Sequence, residues 1–123
     1  MISNPVGWFE IYVQDMTRAR AFYESVLGGE LVRLDGLDIE MWGFPMDMSR
    51  TGAAGALVRM PGFPVGGNSI LVYFSCQDCA VEEARVEAAG GRIHRGKMSI
   101  SHYGYISLVF DTEGNMIGLH SRE

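Results

Sequence analysis

The chain has 123 residues, 47% hydrophobic and 20% charged, with a formal net charge of −5; that length suits one domain able to bury a core without disulfide or metal staples. Its acidic residues are spread along the chain and Lys97 is the one lysine, which argues against nucleic acid and anionic membrane as partners. Met1 to Pro5 is short and polar and no run approaches the length of a membrane span, so the expectation is a cytoplasmic protein without a leader.

The first element in chain order is W-F-E-I-Y-V-Q-D, Trp8 to Asp15. It alternates like a strand and ends on an aspartate suited to cap a helix. Ala19, Phe22, Tyr23, Val26 and Leu27 follow at helical spacing, and Gly28-Gly29 ends that stretch. Three strand-like runs come next: E-L-V-R-L, I-E-M-W-G-F and G-A-L-V-R-M. P-G-F-P-V-G-G-N, Pro61 to Asn68, reads as an ordered surface linker.

The pattern then repeats. L-V-Y-F-S-C-Q-D, Leu71 to Asp78, again ends on Q-D. A helix with a narrower stripe, Val81, Ala84 and Ala88, runs to Gly90-Gly91. R-I-H-R, Y-G-Y-I-S-L-V-F and N-M-I-G-L-H follow as strands, with D-T-E-G-N as the last turn. W-G-F near position 43 echoes Y-G-Y near position 104. The reading is β-α-β-β-β twice, an α+β fold in one domain over 1–123, with units at about 1–60 and 69–123 joined by linker 61–68. One helix shields one face of each sheet; the opposite faces are expected to form an open trough, a concave place for a small molecule.

Cys76 and Cys79 form C-Q-D-C. The spacing is that of a redox pair, but two small apolar fillers at a strand end and a helix start are the preferred reading. Met41, Met46 and Met48 cluster before a turn, either as core, as a dimer surface or as an adaptable ligand wall.

Three pieces carry a resemblance: V-Q-D-M-T-R-A-R-A-F-Y-E-S-V-L-G, the A-A-G-G after the second helix, and F-D-T-E-G-N-M-I-G-L near the end. Together they resemble the glyoxalase / bleomycin-resistance / dioxygenase family, the vicinal oxygen chelate superfamily. Its usual D-P-x-G-N turn has Thr112 in place of proline here. The resemblance implies a homodimer and, in the metal-dependent branches, a divalent ion in the trough. Carried over, the ligand positions that can be placed are Trp8, Leu71 and Gly118, and none of these binds a metal. Some branches take a further ligand from the first unit's last strand, Ala56 to Met60, whose register the sequence does not fix and which holds no acidic or histidine residue. The antibiotic-binding branch needs no metal, so neither metal nor other cofactor is expected.

With Trp8 facing the trough, strand period turns Glu10 and Tyr12 the same way, with Tyr73 and Ser75 in the second unit and Met116 and His120 in the last strand. Phe9, Ile11, Val13, Val72, Phe74 and Cys76 then face the helices. Trp8, Tyr12 and Tyr73 are candidate ligand-binding aromatics. Tyr103 and Tyr105 flank a glycine and are candidates for a lid, unless Y-G-Y and W-G-F mark one structural turn used twice. Glu10 is a candidate base or ligand contact, and otherwise a charge paired with Arg59 or solvent. His120 is a candidate acid, ligand contact or replacement metal ligand, and otherwise an exposed strand end. His94 belongs to a basic edge. Three functions follow in order of preference. The first is sequestration of a small organic molecule, or metal-independent chemistry on it. The second is a lyase, isomerase or dioxygenase-type enzyme with Glu10 as base or relocated metal ligand. The third is a non-catalytic structural or interaction module.

Overall fold

The computed structural model describes residues 4–36, 38–47 and 49–123; Met48 of the methionine cluster lies outside them. In the first unit β1 (Trp8–Tyr12) leads to α1 (Met16–Leu27), then β2 (Val32–Arg33), β3 (Glu40–Gly43) and β4 (Ala54–Arg59). In the second, β5 (Tyr73–Ser75) leads to α2 (Cys79–Glu83), then β6 (Arg92–Ser99), β7 (Tyr105–Phe110) and β8 (Met116–Ser121), with a 3-10 turn at Ser101–Tyr103. Among the described residues the strands form two four-stranded sheets, ordered β1-β4-β3-β2 and β5-β8-β7-β6. In each, the first and last strands of the unit pair in parallel and the other neighbours antiparallel. The repeat read in the sequence is therefore a repeat of topology.

The helices start where the two Q-D pairs place them. Asp15 accepts from the Arg18 amide at 3.0 Å, and Asp78 from the Ala80 amide at 3.0 Å, each satisfying an amide that the first helical turn leaves free. Gly28 closes α1 in the left-handed conformation, φ +80°, where a Cβ is disfavoured. Met16, Ala19, Phe22, Tyr23 and Val26 are buried.

The second helix departs from expectation. Regular α-helix stops at Glu83, and Arg85, Val86 and Gly90 donate to carbonyls only three residues back. Tighter winding rotates the buried face. Val81, Ala84 and Ala88 are exposed, whereas Cys79 and Val86 are buried and Ala89 packs beside them.

One apolar core spans both units. Ile11, Val13, Phe22, Tyr23 and Leu57 of the first unit meet Cys79, Val86, Val109, Ile117 and Leu119 of the second. Phe9 and Phe74 touch edge-on, with centroids 5.8 Å apart. A Cβ at Gly91 would overlap the Phe22 ring and the Phe110 carbonyl, so that glycine admits α1 against the second unit. Along the first strand the faces assigned by strand period hold: Phe9, Ile11 and Val13 turn toward this core, and Tyr12 packs on a smaller cluster of Met41, Ala56 and Val58 across the sheet.

Polar bonds fasten the same seam through the D-T-E-G-N turn. Glu113 accepts from the amides of Gln14 and Asp15 at 2.9 and 3.0 Å, and from Arg18 Nε at 2.7 Å. Asp111 accepts from the Tyr23 hydroxyl at 2.6 Å and from the amides of Glu113 and Asn115. Asn115 donates to the Tyr12 carbonyl at 3.1 Å and accepts from the Gly66 amide at 2.9 Å. Burial alone would raise the Glu113 carboxyl, but the Arg18 guanidinium, the Asp15 and Gln14 amides and the Thr112 hydroxyl outweigh it and hold it at about 2.

A carboxyl depressed by folding adds stability above its unfolded value, near 4.5, and that stability is lost as pH falls toward 2. Acid unfolding followed by circular dichroism is therefore expected to flatten between those values in Glu113→Gln. Glu113→Ala, which leaves the Gln14 and Asp15 amides without their acceptor, is expected to cost on the order of 2 kcal/mol in urea unfolding at neutral pH.

Candidate functional site

A cleft of about 820 Å³ opens between the two first strands of the units. Trp8, Glu10 and Tyr12 of β1 line it, with Leu71 just before β5, Tyr73 of β5 and Met116 of β8. The linker supplies the rim through Pro64, Gly66, Gly67 and Asn68. Asn68 holds it there, donating to the Met116 carbonyl at 3.1 Å and accepting from the Met116 amide at 3.0 Å. Phe63 of the linker stacks on Tyr12, with centroids 4.0 Å apart and planes at 21°. P-G-F-P-V-G-G-N is thus more than the ordered surface linker expected of it, and the aromatic among its glycines and prolines is the signal of a face to cover.

Within the cleft, Glu10 is the one charged side chain among the described lining residues. Its carboxylate is exposed and accepts from the Tyr12 hydroxyl at 2.7 Å and from Trp8 Nε1 at 3.3 Å. That hydrogen bond, then burial, then the Glu10 charge, push the Tyr12 phenol up to about 12. Arg59 does not take the pairing weighed for it; its Nε donates to the Gln14 carbonyl at 3.1 Å. Trp8 and Tyr73 are 40% and 44% exposed, which leaves ring surface open to the cleft.

The remaining candidates lie elsewhere. His120 does not line the cleft; its Nε2 is 2.7 Å from the Tyr103 carbonyl, a contact in which that nitrogen donates. Tyr103 is 63% exposed and outside the cleft. Tyr105 packs against the shared core, since Ile106 pairs with His120 and Tyr105 takes the opposite face of the strand; the Lys97 ammonium sits 4.8 Å over its ring. Gly104 has φ +109°, and a Cβ there would overlap the Ser121 carbonyl. Y-G-Y is thus a backbone crossing, whereas Gly43 of W-G-F lies within β3, so the echo is not one turn used twice. His94 is exposed on the edge strand β6, as expected. Burial above all pushes the Cys76 thiol up to about 12, the reverse of an activated redox cysteine. Met46 lines a second hollow of about 500 Å³ beside Trp8, and Met41 is buried.

The positions that the metal-dependent branches use do not fit a metal here. The Trp8 indole N–H donates to Glu10, Leu71 offers only hydrocarbon, and Gly118 lies under the ring of Tyr73, which a Cβ at 118 would overlap. An aromatic side chain fills the space that a ligating side chain would need.

This geometry belongs to a known family. A family model described as the Glyoxalase/Bleomycin resistance protein/Dioxygenase superfamily matches residues 6–119, and the chain belongs to that superfamily. Similar solved structures include a glyoxalase/bleomycin resistance protein from Albidiferax ferrireducens, at 20% identity and TM-score 0.75, covering 97% of this chain and 100% of that one. An antibiotic-binding protein from a Streptomyces species is 24% identical with TM-score 0.70, covering 100% and 99%. A genomically encoded fosfomycin resistance protein from Listeria monocytogenes is 16% identical with TM-score 0.67, covering 98% and 92%. At such identities the likeness is one of fold. None of the curated proteins matches the chain. Among the described residues, no helix is long and apolar enough to cross a membrane.

Gly118→Ala is expected to destabilise the protein by about 2 kcal/mol, because a methyl forces the Tyr73 ring aside. Tyr73→Ala in the same chain should return most of that loss. A double-mutant cycle in urea reads the coupling; strictly additive effects would show that the ring does not depend on the glycine.

Proposed function

We propose that this protein binds and sequesters a small organic molecule in the β1–β5 cleft without a metal. One observation carries the reading: a drug-sized opening walled by partly exposed Trp8, Tyr12 and Tyr73, with Trp8, Leu71 and Gly118 standing where the resemblance to metal-dependent members would put ligating side chains. Rings of this kind offer large contact area at little entropic cost and favour flat or amphipathic ligands. The antibiotic-binding relative supports the same reading. Glu10 suits it as a fixed acceptor, since Trp8 and Tyr12 already orient its carboxylate.

Homodimerisation and a cytoplasmic setting belong to the same proposal. Val32 on the edge strand β2 and Ile70 beside β5 are 62% and 74% exposed, and such apolar edge surface favours a partner. The two thiols, Cys76 and Cys79, are unpaired and suit a reducing compartment.

The test is a titration with a panel of polycyclic aromatic and antibiotic-like compounds, in a Trp42→Phe background that leaves Trp8 as the emitter. Saturable quenching with a rise in Tm is expected for at least one compound, unchanged by EDTA, and the affinity read by calorimetric titration is expected to fall about tenfold or more in Trp8→Ala. Absence of saturable quenching and of any Tm shift across the panel would sink the sequestration reading. Binding that EDTA abolishes would sink its metal-free part.

A further inference from the structure

We infer that the cleft selects an organic cation: a flat apolar body carrying an ammonium or amidinium group that docks on Glu10. This rests on the cleft being a ligand site and adds the ligand's charge. Glu10 is the one charged side chain among the described lining residues, and the rest of the wall is aromatic, aliphatic or uncharged polar. A neutral ligand gains at most a hydrogen bond from that carboxylate, and an anionic one is repelled by it. The carboxylate is also set for its task. Its Oε1 accepts from Tyr12 and its Oε2 from Trp8, which fixes the plane of the group. A carboxylate offers about four lone-pair sites, so two bonds leave room for a donor from the ligand.

The aromatic groups point to the same ligand. Trp8 and Tyr12 flank Glu10 along one face of β1, and Tyr73 lies across the cleft. Ring faces attract cations through their quadrupole, Trp most strongly. A positive charge set among these rings meets ring faces and a carboxylate together, whereas a hydroxyl in the same place meets only the hydrogen bond. Phe63 stacks on one face of Tyr12 and holds that ring, so Trp8 and Tyr73, 40% and 44% exposed, offer the larger ring surface. The net charge of −5 adds a field that draws cations toward the protein.

The experiment uses three probes that share one ring system: anthracenylmethylammonium, anthracenylmethanol and anthracene carboxylate. Calorimetric titration of the full chain is expected to rank the ammonium about tenfold tighter than the alcohol, with the carboxylate weakest, from one exposed ion pair and the ring contacts together. Glu10→Gln removes the charge and keeps one acceptor oxygen, for Trp8 Nε1, while its amide N–H can donate to the Tyr12 hydroxyl; in it the ammonium and the alcohol should bind within about twofold of each other. Because Glu10 is exposed, circular dichroism of this variant should match the parent. Equal binding of the three probes by the parent would overturn the cation inference and leave sequestration standing. A preference for the ammonium that persists in Glu10→Gln would overturn the role of Glu10. Failure of all three to bind, with the compound panel equally silent, would overturn both.

Discussion

The Glu113 carboxylate ties the two halves of the chain together. It lies in a turn of the second unit, yet its acceptors are spent on the end of the first strand and the beginning of the first helix. Its side chain is fully covered while Arg18 remains half exposed. Burying a charge is costly unless every lone pair finds a donor, and here two amides, a guanidinium and a hydroxyl converge on it. Asp111 and Asn115, on either side, repeat the pattern with Tyr23 and the Tyr12 carbonyl. The relative position of β1 and β8 therefore depends on one five-residue turn. The cleft lies between those strands and β5, so its shape depends on that turn as well.

The two units share a topology but have diverged in what they present to the cleft. The first offers an acid framed by two ring donors. The second offers a ring that covers a glycine. Phe9 likewise covers Gly55 in the first unit, but there the ring faces the shared core. The same ring-over-glycine packing thus serves the interior in one unit and the site in the other. Which side of the sheet a ring takes follows from a single step in strand phase.

Most of the architecture was legible in the residues. Alternation in W-F-E-I-Y-V, the two Q-D caps and the apolar stripe of α1 all specify local structure by spacing alone. The second helix misled because alanine-rich spacing fits several helical phases, and the switch to three-residue bonds leaves no mark in composition. Within the site, Trp8, Glu10, Tyr12 and Tyr73 were reachable because a strand's period assigns faces without any distant contact. Tyr105 was not, because an aromatic beside a glycine suggests a loop lid, whereas this one opens β7 on the face turned to the core. Glu113 was read only as part of a turn. Its role depends on residues nearly a hundred positions away, and pairings over that separation have no local signature.

Tyr73 and Gly118 also bear on how this chain relates to metal-binding members of its superfamily. A carboxylate or imidazole introduced at 118 alone would meet the ring before it met an ion, and loss of the ring alone would leave an empty hollow. A side chain at 118 fits only where the ring at 73 is also changed. The ring and the glycine are therefore one matched unit of packing, and neither position can be exchanged without regard to the other.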